Sequence, residues 1–423
     1  MKVLVIGSGG REHAICYAFK KSPRVTELFC ANGNAGIAEI AHCVPIKHDE
    51  IERLAEFASL NSIDLTFVGG ETPLALGIVD AFESLGLRVI GPCKDASQLE
   101  ASKSFAKDFM ARHGVPTAKF VTAHSPGFAI LELESGDFGG PDSPVVVKAD
   151  GLAAGKGVVV ARNRAEAIAA INEMADLVGT NAAEKIVLEE CLFGKEVSLL
   201  MFADGEDFVL MPPVRDHKRI GEGDTGPNTG GMGTFTDASL LSGEELQTIR
   251  DTIIKPTLHG CIREGFRFRG ILFLGIMMTA NGPKLLEYNV RFGDPETQSI
   301  LVRLETDLVD ICDAMLAGTL NDLAIEWRQG SSACVVLASL GYPAAPKTGD
   351  LIHGLDNAKC VPGIEIFHAG TSALTEGEYY TAGGRVLGVT ATGDDLSHTL
   401  VTAYDAAAKI SFDGMQYRRD IGR

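Results

Sequence analysis

Glu287-Tyr288-Asn289-Val290-Arg291-Phe292-Gly293-Asp294-Pro295-Glu296 sets two oxygen donors and a cation two residues apart. In an extended strand alternate residues share a face, so Glu287, Asn289 and Arg291 are expected to point the same way. A carboxylate, an amide oxygen and a fixed positive charge at one spot suit Mg2+ bridging phosphates. The competing reading is three polar residues on a solvated edge strand.

Composition narrows the choice. The chain has 423 residues, room for roughly two to four domains with separate cores. A net charge of −18 argues against nucleic acid or an anionic membrane as partner, yet leaves space for local basic pockets that take a small phosphorylated substrate. The nine cysteines are odd in number and form no C-x-x-C pair, so neither a disulfide framework nor a zinc site is indicated. They read as reduced, mostly core thiols of a cytosolic protein. Residues 1–7 run straight into a strand and turn without a charged leader, and the longest apolar run, residues 271–278, is too short to span a bilayer. A cytoplasmic chain without a targeting segment is expected.

Outward from the opening segment, the organisation is that of several α/β units. Up to about residue 120, short β-branched runs (3–6, 28–31, 65–68, 89–90) alternate with helical patterns starting at Arg11, Glu50 and Pro73. That rhythm predicts a parallel sheet covered by helices. After the first run comes Gly7-Ser8-Gly9-Gly10-Arg11-Glu12. Glycines before a helix N-terminus let a phosphate approach, but Glu12 occupies the third glycine of a dinucleotide fingerprint. The second strand also ends in Cys30-Ala31-Asn32, without a ribose-binding carboxylate. A phosphate or ribose-phosphate site and a structural turn stay open; NAD is disfavoured.

Residues 135–143 are rich in Gly, Pro, Ser and Asp and read as a surface loop. Val145-Val146-Val147-Lys148, the loop Asp150-Gly151-Leu152-Ala153-Ala154-Gly155-Lys156-Gly157 and Val158-Val159-Val160 then read as a strand-loop-strand hairpin. A P-loop would need Ser or Thr where Gly157 stands, and a helix after it. Such a hairpin can close backbone N–H groups and Lys156 over an anion while Lys148 projects as a point charge; solvated lysines on a flexible turn are the alternative. Glu189 and Glu196 flank a break at Gly194, where a crossover can offer carboxylates and backbone to a nucleoside, or simply face water. Residues 221–233 hold six glycines after Asp216-His217-Lys218-Arg219 and read as a long functional loop. Asn281-Gly282 marks a hairpin between strands 271–279 and 284–290. From about Gln329 a smaller α+β unit is expected.

These motifs together carry a resemblance. GSGGREHA (7–14), VKADGLAAGKGV (147–158), GPNTGGMG (226–233), EYNVRFGDPE (287–296), FHAGT (367–371) and YRRDIG (417–422) are similar to those of the phosphoribosylamine glycine ligases, ATP-grasp enzymes of purine biosynthesis. The likeness spans nearly the whole chain, and residues 291–296 are its most specific part.

The resemblance implies an α/β and α+β multidomain protein with an ATP-grasp fold. Its parts would be a Rossmann-like domain (1–120), a small lid (121–191), a central domain (192–328) and a C-terminal domain (329–423). It implies ATP between lid and central sheet, with Lys103 and Lys148 on the phosphates and Gly155, Lys156 and Gly157 closing over them. Glu189, Glu190 and Leu192 would lie at the adenine, Glu196 at the ribose, and Glu287 and Asn289 at Mg2+ or Mn2+. Glycine and 5-phosphoribosylamine would meet Gly9, Gly10, Arg11, Glu12, Asp216, His217, Lys218, Asn228, Thr229 and Arg291. Arg291, Lys148 and Asp294 are the candidate catalytic residues. No cysteine is needed, because the amine substrate is its own nucleophile.

Three departures stand out. Gly275 lies where many ATP-grasp enzymes place another metal carboxylate, the 135–143 segment is long, and Arg215 replaces an expected neutral amide. Residues 221–233 are expected to be mobile and to order over substrates. A monomer is expected, with a weak dimer as the alternative.

Overall fold

The computed structural model of the protein describes residues 1–151, 157–178, 184–375 and 377–423. Its first part is a parallel sheet of β1 (Lys2–Gly7), β2 (Glu27–Asn32), β3 (His42–Val44), β4 (Leu65–Val68) and β5 (Val89–Ile90), ordered β3-β2-β1-β4-β5. Val3 to Ile6 are wholly buried, as a central parallel strand covered on both faces must be. The chain winds one way from β1 to β3 and then returns to the other side with β4. Loops leaving β1 and β4 therefore diverge and open a crevice at their carboxyl ends.

β6 (Phe120–Ala123), β7 (Val145–Ala149), β8 (Val158–Ala161) and β9 (Ile186–Glu190) form a second, antiparallel sheet ordered β6-β9-β7-β8. Ala129, Leu133, Val147, Ile171 and Met174 give it a small core of its own. The exposed turn expected at 135–143 tucks Phe138 into that core.

The third sheet is the largest. It contains β10 (Lys195–Asp204), β11 (Phe208–Leu210), β12 (Val214–Asp216), β15 (Gly233–Thr236), β16 (Arg269–Thr279), β17 (Gly282–Asn289), β18 (Ser331–Ala338), β19 (Ile364–His368) and β22 (Arg385–Gly393). Its order is β17-β16-β10-β12-β15-β18-β22-β19, with β11 on β10. The unit expected from Gln329 thus shares its sheet with the central part through β15–β18 pairing. β20 (Thr371–Thr375) and β21 (Glu378–Thr381) form a separate ribbon.

Residues 221–233 are not the irregular loop their glycines suggest. β13 (Arg219–Gly221) and β14 (Thr225–Asn228) pair as a two-stranded ribbon. Its tip is bonded to the C-terminal segment: Arg418 Nη1 lies 2.7 Å from Asp224 Oδ1, and the Gly223 N–H donates to Asp420 Oδ2 at 2.8 Å.

Candidate active site

The β16–β17 hairpin turns at Asn281-Gly282 and carries a bulge. Gly275 pairs with Glu287, but Ile276 pairs with Leu285, leaving Leu286 as the extra residue. Leu285 and Tyr288 are both buried in one core although three positions apart. Strict alternation would have put Glu287 on Leu285's side. The bulge resets the phase and turns Glu287 and Asn289 outward, a common device beside active sites.

Four lysines surround this face. Lys148, on β7, reaches across from the small sheet: its Nζ lies 2.7 Å from Glu189 Oε1 and donates to the bulged Leu286 carbonyl at 3.3 Å. Lys107 Nζ lies 2.9 Å from the other oxygen of Glu189. All three side chains are buried, so Glu189 is shared by two ammonium groups and the cluster keeps a net positive charge. Burial and the nearby Lys148 push the Lys107 ammonium down to about 8, despite Glu189. Lys103 begins the helix Lys103–Arg112 and donates to the Gly151 carbonyl at 2.9 Å. Burial lowers its basicity, opposed by Glu287. Lys218 binds the Glu196 carboxylate and stands 4.0 Å from Glu287. Burial alone would raise the Glu287 carboxyl, but Lys218, Lys148, Lys103 and Arg291 outweigh it and hold the carboxyl below its ordinary value. Glu287 is therefore an anion at neutral pH.

Asp150 pins the start of the glycine-rich loop, accepting from Ser104 Oγ at 2.7 Å and Ser102 Oγ at 3.0 Å. Gly157 closes its base, its carbonyl accepting from Ala149 N at 2.8 Å. Gly155 and Lys156 lie outside the described residues. Leu192 sits half-buried in the link between β9 and β10. Glu190 is fixed elsewhere, accepting from Lys284 Nζ and Lys119 N, each at 2.9 Å. Its side chain therefore braces the small sheet against the hairpin and does not join the lysine cluster.

The crevice of the parallel sheet holds a cavity of about 210 Å³ lined by Gly7, Gly9, Arg11, Glu12, Glu71 and Asp294, among others. Glu12 supports it from below. Its carboxylate accepts from Gly9 N and Arg11 Nε, each at 2.6 Å. A Cβ on Gly7 or Gly69 would lie 2.4 or 2.2 Å from the Glu12 side chain, so a glycine at the supposed fingerprint position would leave a hole. Gly10 packs against Gln298, where a Cβ would meet Nε2 at 2.6 Å. The Asp294 carboxylate accepts from Gln298 Nε2 at 2.7 Å and lies 3.3 Å from Arg385 Nη2. Burial would raise it, but Arg385 and Arg11 hold it below its ordinary value.

Arg291 does share Asn289's face, donating to its Oδ1 at 3.1 Å. However, its guanidinium also lies 2.8 Å from Glu100 and 3.2 Å from Glu71. Arg291 thus reaches two carboxylates from the parallel-sheet part of the chain as well as the Asn289 amide, which it fixes. His217 is buried, its Nδ1 3.2 Å from the Gly233 carbonyl and its Nε2 accepting from Gly422 N at 3.3 Å. Burial, with Arg418 and despite the Gly233 bond, lowers its pKa to about 4. It is a packed core histidine with both nitrogens satisfied. The Thr229 hydroxyl donates to the Lys218 carbonyl and accepts from Gly231 N, closing its own turn. Asn228 sits half-buried at the end of β14, opposite Arg219. Asp216 accepts from His217 N at 2.7 Å, and burial with the nearby Glu296 pushes its carboxyl well above the ordinary range. No local pattern marks Lys107, Glu71, Glu100 and Arg385, because the carboxylates, cations and carbonyls they bind lie far along the chain.

Glu287 and Asn289 fit a hard divalent ion. Glu287 is anionic, and the Asn289 amide oxygen keeps one acceptor direction beyond its bond to Arg291. Among the described residues no group of three or more His, Cys, Asp or Glu side chains is placed to hold a metal. Such an ion would need oxygens from a bound phosphate chain.

Comparisons with known proteins agree along the whole chain. The models for the N domain, the ATP-grasp (A) domain and the C domain of phosphoribosylglycinamide synthetase match residues 1–100, 101–297 and 332–423. Proteins named phosphoribosylamine–glycine ligase from Caldanaerobacter subterraneus and Pseudomonas aeruginosa are 44% and 46% identical, covering 100% of this chain and 99% and 97% of theirs. A crystal structure of phosphoribosylamine–glycine ligase from Thermotoga maritima superposes with a TM-score of 0.85 at 35% identity, covering 100% of both chains. The biotin carboxylase domain of a Hydrogenobacter thermophilus 2-oxoglutarate carboxylase shares the fold, at TM-score 0.71 and 17% identity over 98% of this chain and 91% of that one. With all three of its domain models matched in order along one polypeptide, this protein belongs to the phosphoribosylglycinamide synthetase family.

Proposed function

We propose that the chain joins glycine to 5-phosphoribosylamine in purine biosynthesis, converting ATP to ADP and phosphate through glycyl phosphate. One observation carries the reading: the bulge turns Glu287 toward Lys103, Lys148 and Lys218 and Asn289 toward Arg291, beside a cavity at the switch point of the parallel sheet. Glycine's carboxylate is a poor electrophile and takes the γ-phosphoryl group first. Charge on the transferring oxygens is then met by Lys148 and Lys103 from one side and Lys218 from the other. Glu287 and Asn289 would hold Mg2+, with Mn2+ as the alternative, which supplies further neutralisation at those oxygens. The neutral amine of phosphoribosylamine attacks glycyl phosphate and expels phosphate, so no protein nucleophile enters.

The adenine would lie near Glu189 and Leu192, the ribose at Glu196, and the amine's phosphate in the cavity of Gly9, Gly10 and Arg11. The four-part division at about residues 120, 191 and 328, a monomeric state and a cytoplasmic location belong to the same proposal. Among the described residues no helix is long and apolar enough to cross a membrane. The test is ADP release: it should require glycine and phosphoribosylamine together. Release driven by bicarbonate instead would assign the chain to the carboxylases that share its fold.

A further inference from the structure

Gly230 is gripped at both of its backbone groups by side chains from the C-terminal part of the chain. Its N–H donates to Tyr342 Oη at 2.9 Å, and its carbonyl accepts from Arg385 Nη1 at 2.6 Å. The same nitrogen donates to the Asp294 carbonyl at 2.5 Å, while Nη2 lies 3.3 Å from the Asp294 carboxylate. One planar guanidinium on β22 thus joins two segments that are 64 positions apart, the glycine-rich strand link and the wall of the switch-point cavity. A side chain on Gly230 would fill the place of the guanidinium, since its Cβ would lie 2.9 Å from Arg385 Cζ. The tyrosine is held from behind in the same way, because a Cβ on Gly384 would meet its ring at 2.3 Å.

Asp294 is the only cavity wall residue that Arg385 binds among the contacts described, and Gly230 borders Gly231, which packs on Asp216 and Pro295. We propose that Arg385, assisted by Tyr342, is a positioning residue that fixes the distance between the 229–231 segment and Asp294, and so shapes the site of the amine substrate. The assignment of that substrate rests on the ligase reading above. The fork geometry matters: a lysine ammonium is a single point and cannot span both carbonyls and the carboxylate at once.

The experiment compares Arg385→Lys and Tyr342→Phe with the wild type in the full-length enzyme. Arg385→Lys should raise the KM for phosphoribosylamine about tenfold or more, with the KM for ATP within about twofold. Tyr342→Phe, which loses one neutral bond, should raise the same KM about threefold. In both variants amide exchange at residues 230–232 should quicken, a readout that needs no substrate. If wild-type turnover does not depend on glycine and phosphoribosylamine, the ligase reading fails, and exchange alone decides the clamp. Equal losses in the ATP and amine parameters would mark Arg385 as merely structural. Unchanged exchange in both variants would overturn the clamp, and Tyr342→Phe keeps that arm decisive should Arg385→Lys not fold.

Discussion

Gly275 stands directly across the hairpin from Glu287, and a Cβ built on it would lie 3.2 Å from the Glu287 Cγ. The position that carries a metal carboxylate in many ATP-grasp enzymes is here without a side chain, so Glu287 has no acidic neighbour across the ladder. Glu287→Gln should therefore lower Mg2+-dependent turnover by about a hundredfold or more. Asn289→Ala should raise the Mg2+ concentration needed for half-maximal rate by about tenfold. Titrating Mg2+ for each variant, with circular dichroism as the folding control, checks both, and unchanged Mg2+ dependence in the pair would reject the metal assignment.

Glu189 is buried between Lys107 and Lys148. Replacing it with Gln leaves two desolvated ammonium groups facing each other, at a cost of about 3 kcal/mol. Urea unfolding should report this, and Lys107→Met combined with Glu189→Gln should recover part of the loss. An unshifted midpoint for Glu189→Gln would mean that water reaches the cluster.

Lys148→Ala should lower kcat or raise the ATP KM by about tenfold or more, because it removes a dry point charge from the transferring oxygens. Lys148→Arg should rescue only in part. The ammonium is wedged between Glu189 and the Leu286 carbonyl, where a planar fork has a different shape and reach. Full activity in Lys148→Ala would count against the phosphate role.

His368 is completely buried, and burial together with Lys359 lowers its pKa to about 3. The unfolded chain takes up this proton near pH 6.5, whereas the native state does not until about pH 3. Stability is thus unaffected above pH 6.5 and falls through that window on acidification, by about 1.4 kcal/mol per pH unit for this group. His368→Asn should flatten the unfolding free energy between pH 4 and 6 by that slope. An identical slope in the variant would show that His368 is protonated in the native state.

Arg418 is 2% exposed and ties Asp224 to Asp420. Arg418→Ala should free the tip of the β13–β14 ribbon, and amide exchange at residues 222–225 should accelerate while that at β15 is unchanged. Equal protection in variant and wild type would leave the pairing of β13 with β14 as sufficient restraint.

Much of this architecture is legible in the sequence wherever the cause is local. The parallel sheet shows in its short β-branched runs, and the β16–β17 turn in Asn281-Gly282. Alternation predicts the shared outward set of Glu287 and Asn289, but its cause is a bulge that appears only once Gly275 and Ile276 find their partners. The β13–β14 ribbon is hidden because glycines carry no alternation to read. The partners of buried polar residues are the least legible part. His217 and Arg291 have the chemistry of ligands, yet distant groups such as Gly422 and Glu100 satisfy them, and a local pattern cannot reveal a partner 205 or 191 positions away.

The unbroken hydrogen-bond ladder from β12 through β15 into β18 also puts the border of the C-terminal part inside a sheet instead of in a linker. The match to the C-terminal model begins at residue 332, one position inside β18, and cutting there would strip that strand of β15. An excised C-terminal fragment would carry β18 as a newly unpaired edge, a template for association with other chains. Pieces made by dividing the chain at that border are therefore expected to associate again through β15 and β18.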